Sequence, residues 1–136
     1  MDLDEARRFL AANHRGVLAT MRRDGRPAMT PVLATLDAEG FAIVSTRETA
    51  LKVHNLRRDP YASLIVLRDA FFGEWVQVEG PATILSLPEA MEPLVDYYRR
   101  AAGEHADWDA YRTAMKRERR VLIRVALARV GPSHSG

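Results

Sequence analysis

The apolar positions of this chain change period several times, and each change marks an element. Ala6, Phe9 and Leu10 fall three and four residues apart, which predicts a helix over Asp4–Asn13. Gly16–Arg22 reads as a strand, and Arg23-Asp24-Gly25-Arg26 as a hairpin turn of type I′, because Asp-Gly tolerates positive φ. Pro27–Leu36 returns as a strand, and Pro31 within it signals an edge position or a bulge. Asp37-Ala38-Glu39-Gly40 turns into a strand over Phe41–Ser45. Thr49–Arg58 is helical and Pro60 stops it. Tyr61–Leu67 and Glu74–Leu85 are strands, the second with Gly80-Pro81 as a bulge.

Two helices follow. Met91, Leu94, Val95 and Tyr98 mark the first, Gly103 caps it, and Pro93 blurs its start. Asp107 caps the second, which carries Trp108, Tyr111 and Met115. Arg120–Val130 alternates again as a last strand, and residues 131–136 read as a flexible tail. Six strands with short connections and grouped helices predict an α+β fold: one domain over residues 1–130, built on a six-stranded antiparallel barrel with peripheral helices. Helices do not alternate with strands and no Gly-rich nucleotide loop is present, which disfavours a parallel α/β sheet.

Composition narrows the function classes. At 136 residues, with 47% hydrophobic and 28% charged residues, the chain has material for one ordinary globular core. The absence of cysteine excludes disulfides and thiolate ligands, and it is compatible with the cytoplasmic location we expect. No apolar run approaches the roughly 20 residues of a membrane span. The acidic start Met1-Asp2-Leu3-Asp4-Glu5 does not read as a signal peptide. A net charge of +2 gives little support to a nucleic-acid partner. His14, His54, His105 and His134 show no metal spacing, so surface or capping roles are expected for them. The basic run Lys116-Arg117-Glu118-Arg119-Arg120 reads as a solvated helix end.

The stretch from Ser45 to Pro60 carries the chemistry. An apolar run ends in the hydroxyls of Ser45 and Thr46, and a helix follows with Lys52 on its first turn. Hydroxyls, free N–H groups at a helix start and a nearby cation suit a phosphate. Arg47 offers a second cation, and Thr49 a helix cap or a ligand-facing N–H.

Several motifs together resemble a known family. They are Gly16-Val17-Leu18-Ala19-Thr20, Asp24-Gly25-Arg26-Pro27, Thr30-Pro31-Val32, Ser45-Thr46 with Lys52, Asn55-Leu56-Arg57-Arg58-Asp59-Pro60, and Trp75-Val76-Gln77-Val78-Glu79-Gly80. In order and spacing they resemble the pyridoxamine 5′-phosphate oxidase-like split β-barrel oxidoreductases. The segment Tyr98–Met115 with Arg119-Arg120-Val121-Leu122-Ile123 resembles the actinobacterial branch that uses the deazaflavin coenzyme F-420, where wider members use FMN.

That resemblance implies a homodimer with cofactor grooves at the interface and a small-molecule substrate. It implies that Lys52, with Ser45, Thr46, Arg47, Thr49, Ala50 and Leu51, lies at the phosphate, and that Thr30, Pro31 and Val32 line the ring. Trp75 is expected at the ring, at the dimer contact or in the core. Deazaflavin members often carry an arginine two residues before the lysine; Ala50 stands there, and Arg47 is the alternative charge. No side-chain constellation demands a general acid or base, so hydride transfer is expected without a catalytic residue. The alternatives are FMN-dependent oxidation, pyridoxamine phosphate oxidation among them, non-catalytic carriage of a flavin or deazaflavin, and nucleic-acid binding.

Overall fold

The computed structural model describes residues 1–135. Four helices and seven strands follow in the order α1 (Leu3–Ala12), β1 (Arg15–Met21), β2 (Pro27–Leu36), β3 (Ala42–Arg47), α2 (Leu51–Arg58), β4 (Tyr61–Leu67), β5 (Glu74–Leu85), α3 (Met91–Ala102), α4 (Trp108–Arg117), β6 (Arg120–Val125) and β7 (Arg129–Ser135). The strands run β4-β1-β2-β3-β6-β5-β7, and β4 also pairs with β5. Every pairing is antiparallel. The first six strands therefore close into the expected barrel.

Alternation decides which side chains fill the barrel. Leu18 of β1, Val44 of β3, Leu64 and Val66 of β4, Val76 and Val78 of β5 and Ile123 of β6 point inward with Phe9 and Leu10 of α1. A second core lies outside the barrel wall. There Ile43 and Leu122 meet Leu94, Val95 and Tyr97 of α3 and Tyr111 and Met115 of α4. The helical hairpin is thus a layer on the outer face of β3 and β6, held by alternate residues of the same strands.

Several sequence expectations are corrected. The β1–β2 turn is not type I′: Gly25 alone has positive φ, +81°, and Arg22 N–H donates to Arg26 O while Gly25 N–H donates to Arg22 O. That is a type I turn closed by a left-handed glycine, which leaves Asp24 free to accept from Arg26 N–H at 3.0 Å. Of the two readings of Pro31, the edge position holds and the bulge does not. Pro31 pairs in register with Val17, and β2 is an edge on its other side there, where a missing N–H costs nothing.

Gly80-Pro81 stays in register with β4, but on its other side the neighbouring chain carries one extra residue, because Glu79 pairs with Arg129 and Ala82 with Val125; the irregularity expected there lies on the partner strand, and a further register shift lies between Val76 and Val78. The last strand is in fact two. The chain leaves β6 at Val125, stays on the same edge of β5 past Gly80, where Ala126 N–H donates to Pro81 O and Ala128 N–H to Glu79 O, and runs on as β7, so residues 131–135 form a strand beside β5 and not a flexible tail. The approach is tight: a Cβ at Gly80 would lie 2.0 Å from Ala126 O. Gly136 lies outside the described residues. Helix α2 starts at Leu51, not Thr49, because Arg47-Glu48-Thr49-Ala50 forms a turn closed by Ala50 N–H to Arg47 O.

The remaining caps follow the sequence. Gly103 ends α3 with φ +89°, and Asp107 accepts from Ala110 N–H at 3.1 Å. An unforeseen capping box at α1 joins Asp2 and Glu5. Pro93 sits in the first turn of α3, where it removes no helical bond.

Candidate functional site

The site is created by a parting of two strands. Strands β2 and β3 pair only through Ala34–Val44, Thr35–Ile43 and Leu36–Ala42, although both continue beyond. Past that point β2 stays on β1 and β3 stays on β6. The opening forms a groove of about 510 Å³. Pro31, Val32 and Leu33 make one lip, Ser45 and Thr46 the other, and Lys52 reaches it from the first turn of α2. Tyr97, Tyr98, Tyr111 and Met115 of the helical layer form its far wall, with Glu118 and Arg120 at the α4–β6 corner.

Lys52 is the electrostatic centre. It lies in none of the ion pairs or side-chain hydrogen bonds of the described residues. Partial burial pushes its pKa down, and the charge of Arg120 adds to this. A cation that has lost solvent and gained a like-charged neighbour is strained toward an anion. Helix α2 supports the same ligand, because Ala50 at its N-cap makes no side-chain capping bond.

The adjoining charges are organised around Glu118. Its Oε1 accepts from Arg120 Nε at 3.0 Å, pairs with Arg120 Nη2 at 2.8 Å and receives Arg47 Nη2 at 3.4 Å. Those hydrogen bonds and charges hold the Glu118 carboxyl below its ordinary range. Arg47 and Arg120 face each other across the β3–β6 ladder, which explains their shared partner.

Of the residues singled out from sequence, the structure gathers Pro31, Val32, Ser45, Thr46 and Lys52 around one groove. Arg47 stands beside it on Glu118, and Thr49 and Ala50 form the turn into α2. Leu51 faces a different groove, of about 560 Å³, with Arg22, Arg23, His54, Arg57 and Arg58. Thr30 is absent from the lining, yet its Oγ1 is buried with no hydrogen-bond partner among the described residues. Trp75 is on β5 opposite Leu67, and within one protomer it does not reach the groove.

Sequence reasoning missed Tyr97, Glu118 and Arg120. Arg120 was hidden in a run that reads as a solvated helix end, and only its strand partner Arg47 gives it a direction. His105 is not merely a surface residue; it packs with Tyr98, Trp108 and Tyr111 at ring distances of 5.0–5.6 Å.

A closed six-stranded barrel with an open seam and a helical layer over it defines a split-barrel protein. The sequence matches the pyridoxamine 5′-phosphate oxidase family over residues 3–134, and the chain belongs to that family. A relative from Mycobacterium tuberculosis, an F-420H(2)-dependent biliverdin reductase, is 32% identical over 93% of this chain and 85% of its own length. A conserved hypothetical protein of the same organism superposes with a TM-score of 0.79 at 28% identity, covering 99% of this chain and 85% of the other. A solved F-420 reductase shares the fold at TM-score 0.69 and 21% identity, covering 91% and 94%.

Proposed function

We propose that this protein is an oxidoreductase that binds the deazaflavin F-420 in the β2–β3 groove of a homodimer and passes a hydride to a small conjugated molecule. One observation carries the reading: Lys52, half-buried and without an acidic partner, stands at an uncapped helix start beside the hydroxyls of Ser45 and Thr46. That donor set fits a phosphate. The groove above it has the size expected of a small-molecule site, and its walls of Pro31, Val32, Tyr98, Tyr111 and Met115 suit a flat ring.

The bound deazaflavin supplies the hydride chemistry. The chain's own residues bind, orient and exclude water. Lys52 holds the phosphate, and Ser45 and Thr46 donate to it or to the sugar-alcohol chain. Arg120 supplies the second cation where Ala50 stands in place of the arginine frequent among deazaflavin users. The F-420-dependent relative at 32% identity supports the cofactor choice. The second reading is FMN, favoured by Ala50 itself, since FMN carries no acidic tail beyond its phosphate and needs fewer cations.

The purified protein, incubated separately with FMN and F-420 and then desalted, is expected to retain the deazaflavin absorption band more fully. Preferential retention of FMN would move the assignment to the second reading. Retention of neither would remove the cofactor role.

A further inference from the structure

The β2–β3 seam opens where a tyrosine hydroxyl occupies the next rung. In the register Ala34–Val44, Thr35–Ile43, Leu36–Ala42, the following pair is Leu33 with Ser45. That pair is not made. Tyr97 Oη instead donates to Leu33 O at 2.7 Å, reaching from α3 over a sequence separation of 64 residues. Burial raises the pKa of the Tyr97 phenol, and the nearby Ser45 backbone N–H acts against that rise. The ring itself is buried in the outer core with Ile43, Leu94 and Leu122, so the hydroxyl is delivered by a fixed support. Both lips of the groove begin at this point, with Leu33, Val32 and Pro31 on one side and Ser45 and Thr46 on the other.

We propose that Tyr97 is a positioning residue: its hydroxyl replaces the Leu33–Ser45 rung, holds the two strands apart and sets the width of the binding groove. The physical reason is that backbone groups at a buried seam must find partners. Without the hydroxyl, the nearest partner for Leu33 C=O is Ser45 N–H, and making that bond draws β2 and β3 together. The groove would then narrow where Pro31, Val32, Ser45 and Thr46 face one another. Tyr97 touches neither reacting atoms nor, in this reading, the phosphate; it acts through the strands. The inference rests on the proposed cofactor site for its functional consequence, but the seam geometry stands without it.

Tyr97→Phe tests it, because the ring and its packing remain. Two measurements are made on the variant and the unaltered protein. The first is the through-hydrogen-bond NMR coupling between Ser45 ¹⁵N and Leu33 ¹³C′, which needs no ligand. It is expected to be absent in the unaltered protein and present in the variant. The second is affinity for F-420 and FMN at matched salt, expected to fall by about tenfold or more at nearly unchanged melting temperature. A coupling already present in the unaltered protein, or none in the variant, overturns the spacer role. So does a variant that binds as well as the original, or one that no longer folds cooperatively, since the hydroxyl would then serve the fold and not the groove. If neither protein binds either cofactor while the coupling appears as expected, the proposed function fails and the spacer stands.

Discussion

Lys52 has no acceptor among the described residues, and a single substitution there separates ligand binding from folding. Lys52→Ala removes one charge-assisted contact, so about 1.5–3 kcal/mol of cofactor binding should be lost, roughly ten- to a hundredfold. Stability should stay within about 0.5 kcal/mol, because Lys52 is only half-buried and makes no ion pair or side-chain hydrogen bond among the described residues. Titration of cofactor fluorescence alongside a thermal melt checks both. Gly80 is the opposite kind of residue. A methyl group there meets Ala126 O at 2.0 Å, which is backbone and cannot step aside cheaply. Gly80→Ala should destabilise by about 1–3 kcal/mol, read as a lowered denaturant midpoint with unchanged slope.

Among the elements, α2 must be fixed for Lys52 to point anywhere. Its anchor is polar: buried Asn55 donates from Nδ2 to Thr20 Oγ1 at 3.1 Å, and its Oδ1 accepts from Arg58 Nη2 at 3.2 Å. Arg58 also donates to Met21 O, so helix and β1 are tied at two places. Asn55→Ala orphans the Thr20 hydroxyl and should cost about 1–3 kcal/mol, with weaker cofactor binding as the helix loosens. Urea unfolding monitored by circular dichroism checks the first part. The α3–α4 layer has its own signature. Tyr111 donates to Leu94 O at 2.7 Å, and burial raises its pKa from 10.0 to about 12, with Tyr97 nearby adding to the shift. The unfolded phenol ionises first, so stability is full below pH 10.0 and is lost as pH rises toward about 12. Melting temperature should fall over that window, and Tyr111→Phe should flatten the fall.

At the scale of the molecule, the surface asks for a partner. Phe71 and Phe72 at the β4–β5 connection are 73% and 82% exposed, and Met29 of β2 is 67% exposed. A single protomer leaves them in water, while a homodimer would bury them and could bring the partner's elements to the open groove. Sedimentation should give one dimeric species at micromolar concentration. A stable monomer would remove the interfacial site along with the dimer. Among the described residues no helix is long and apolar enough to cross a membrane.

Local chemistry was readable from the chain. Period and turn residues place every strand of the barrel within a few residues, because an inward-facing strand must alternate and a turn must contain residues that tolerate it. That the hydroxyls before α2 and the lysine within it share one groove was legible, since both lie on one short segment. Other features arise from contacts between distant segments. The division of the last strand depends on Gly80 letting Ala126 come close against β5, and nothing between Arg120 and Val130 states it. The start of α2 was misplaced because Thr49 is a good cap by type, while the turn from Arg47 to Ala50 is imposed by β3 remaining paired to β6. Arg120 becomes a groove cation only through its register with Arg47, and Tyr97 meets Leu33 only because α3 lies across β3. The sequence by itself determined the elements and pointed to the segment proposed for the phosphate, because the physics of both is local. The tertiary structure decided the opening between β2 and β3, because a missing rung is a property of two strands and of the helix that stands between them.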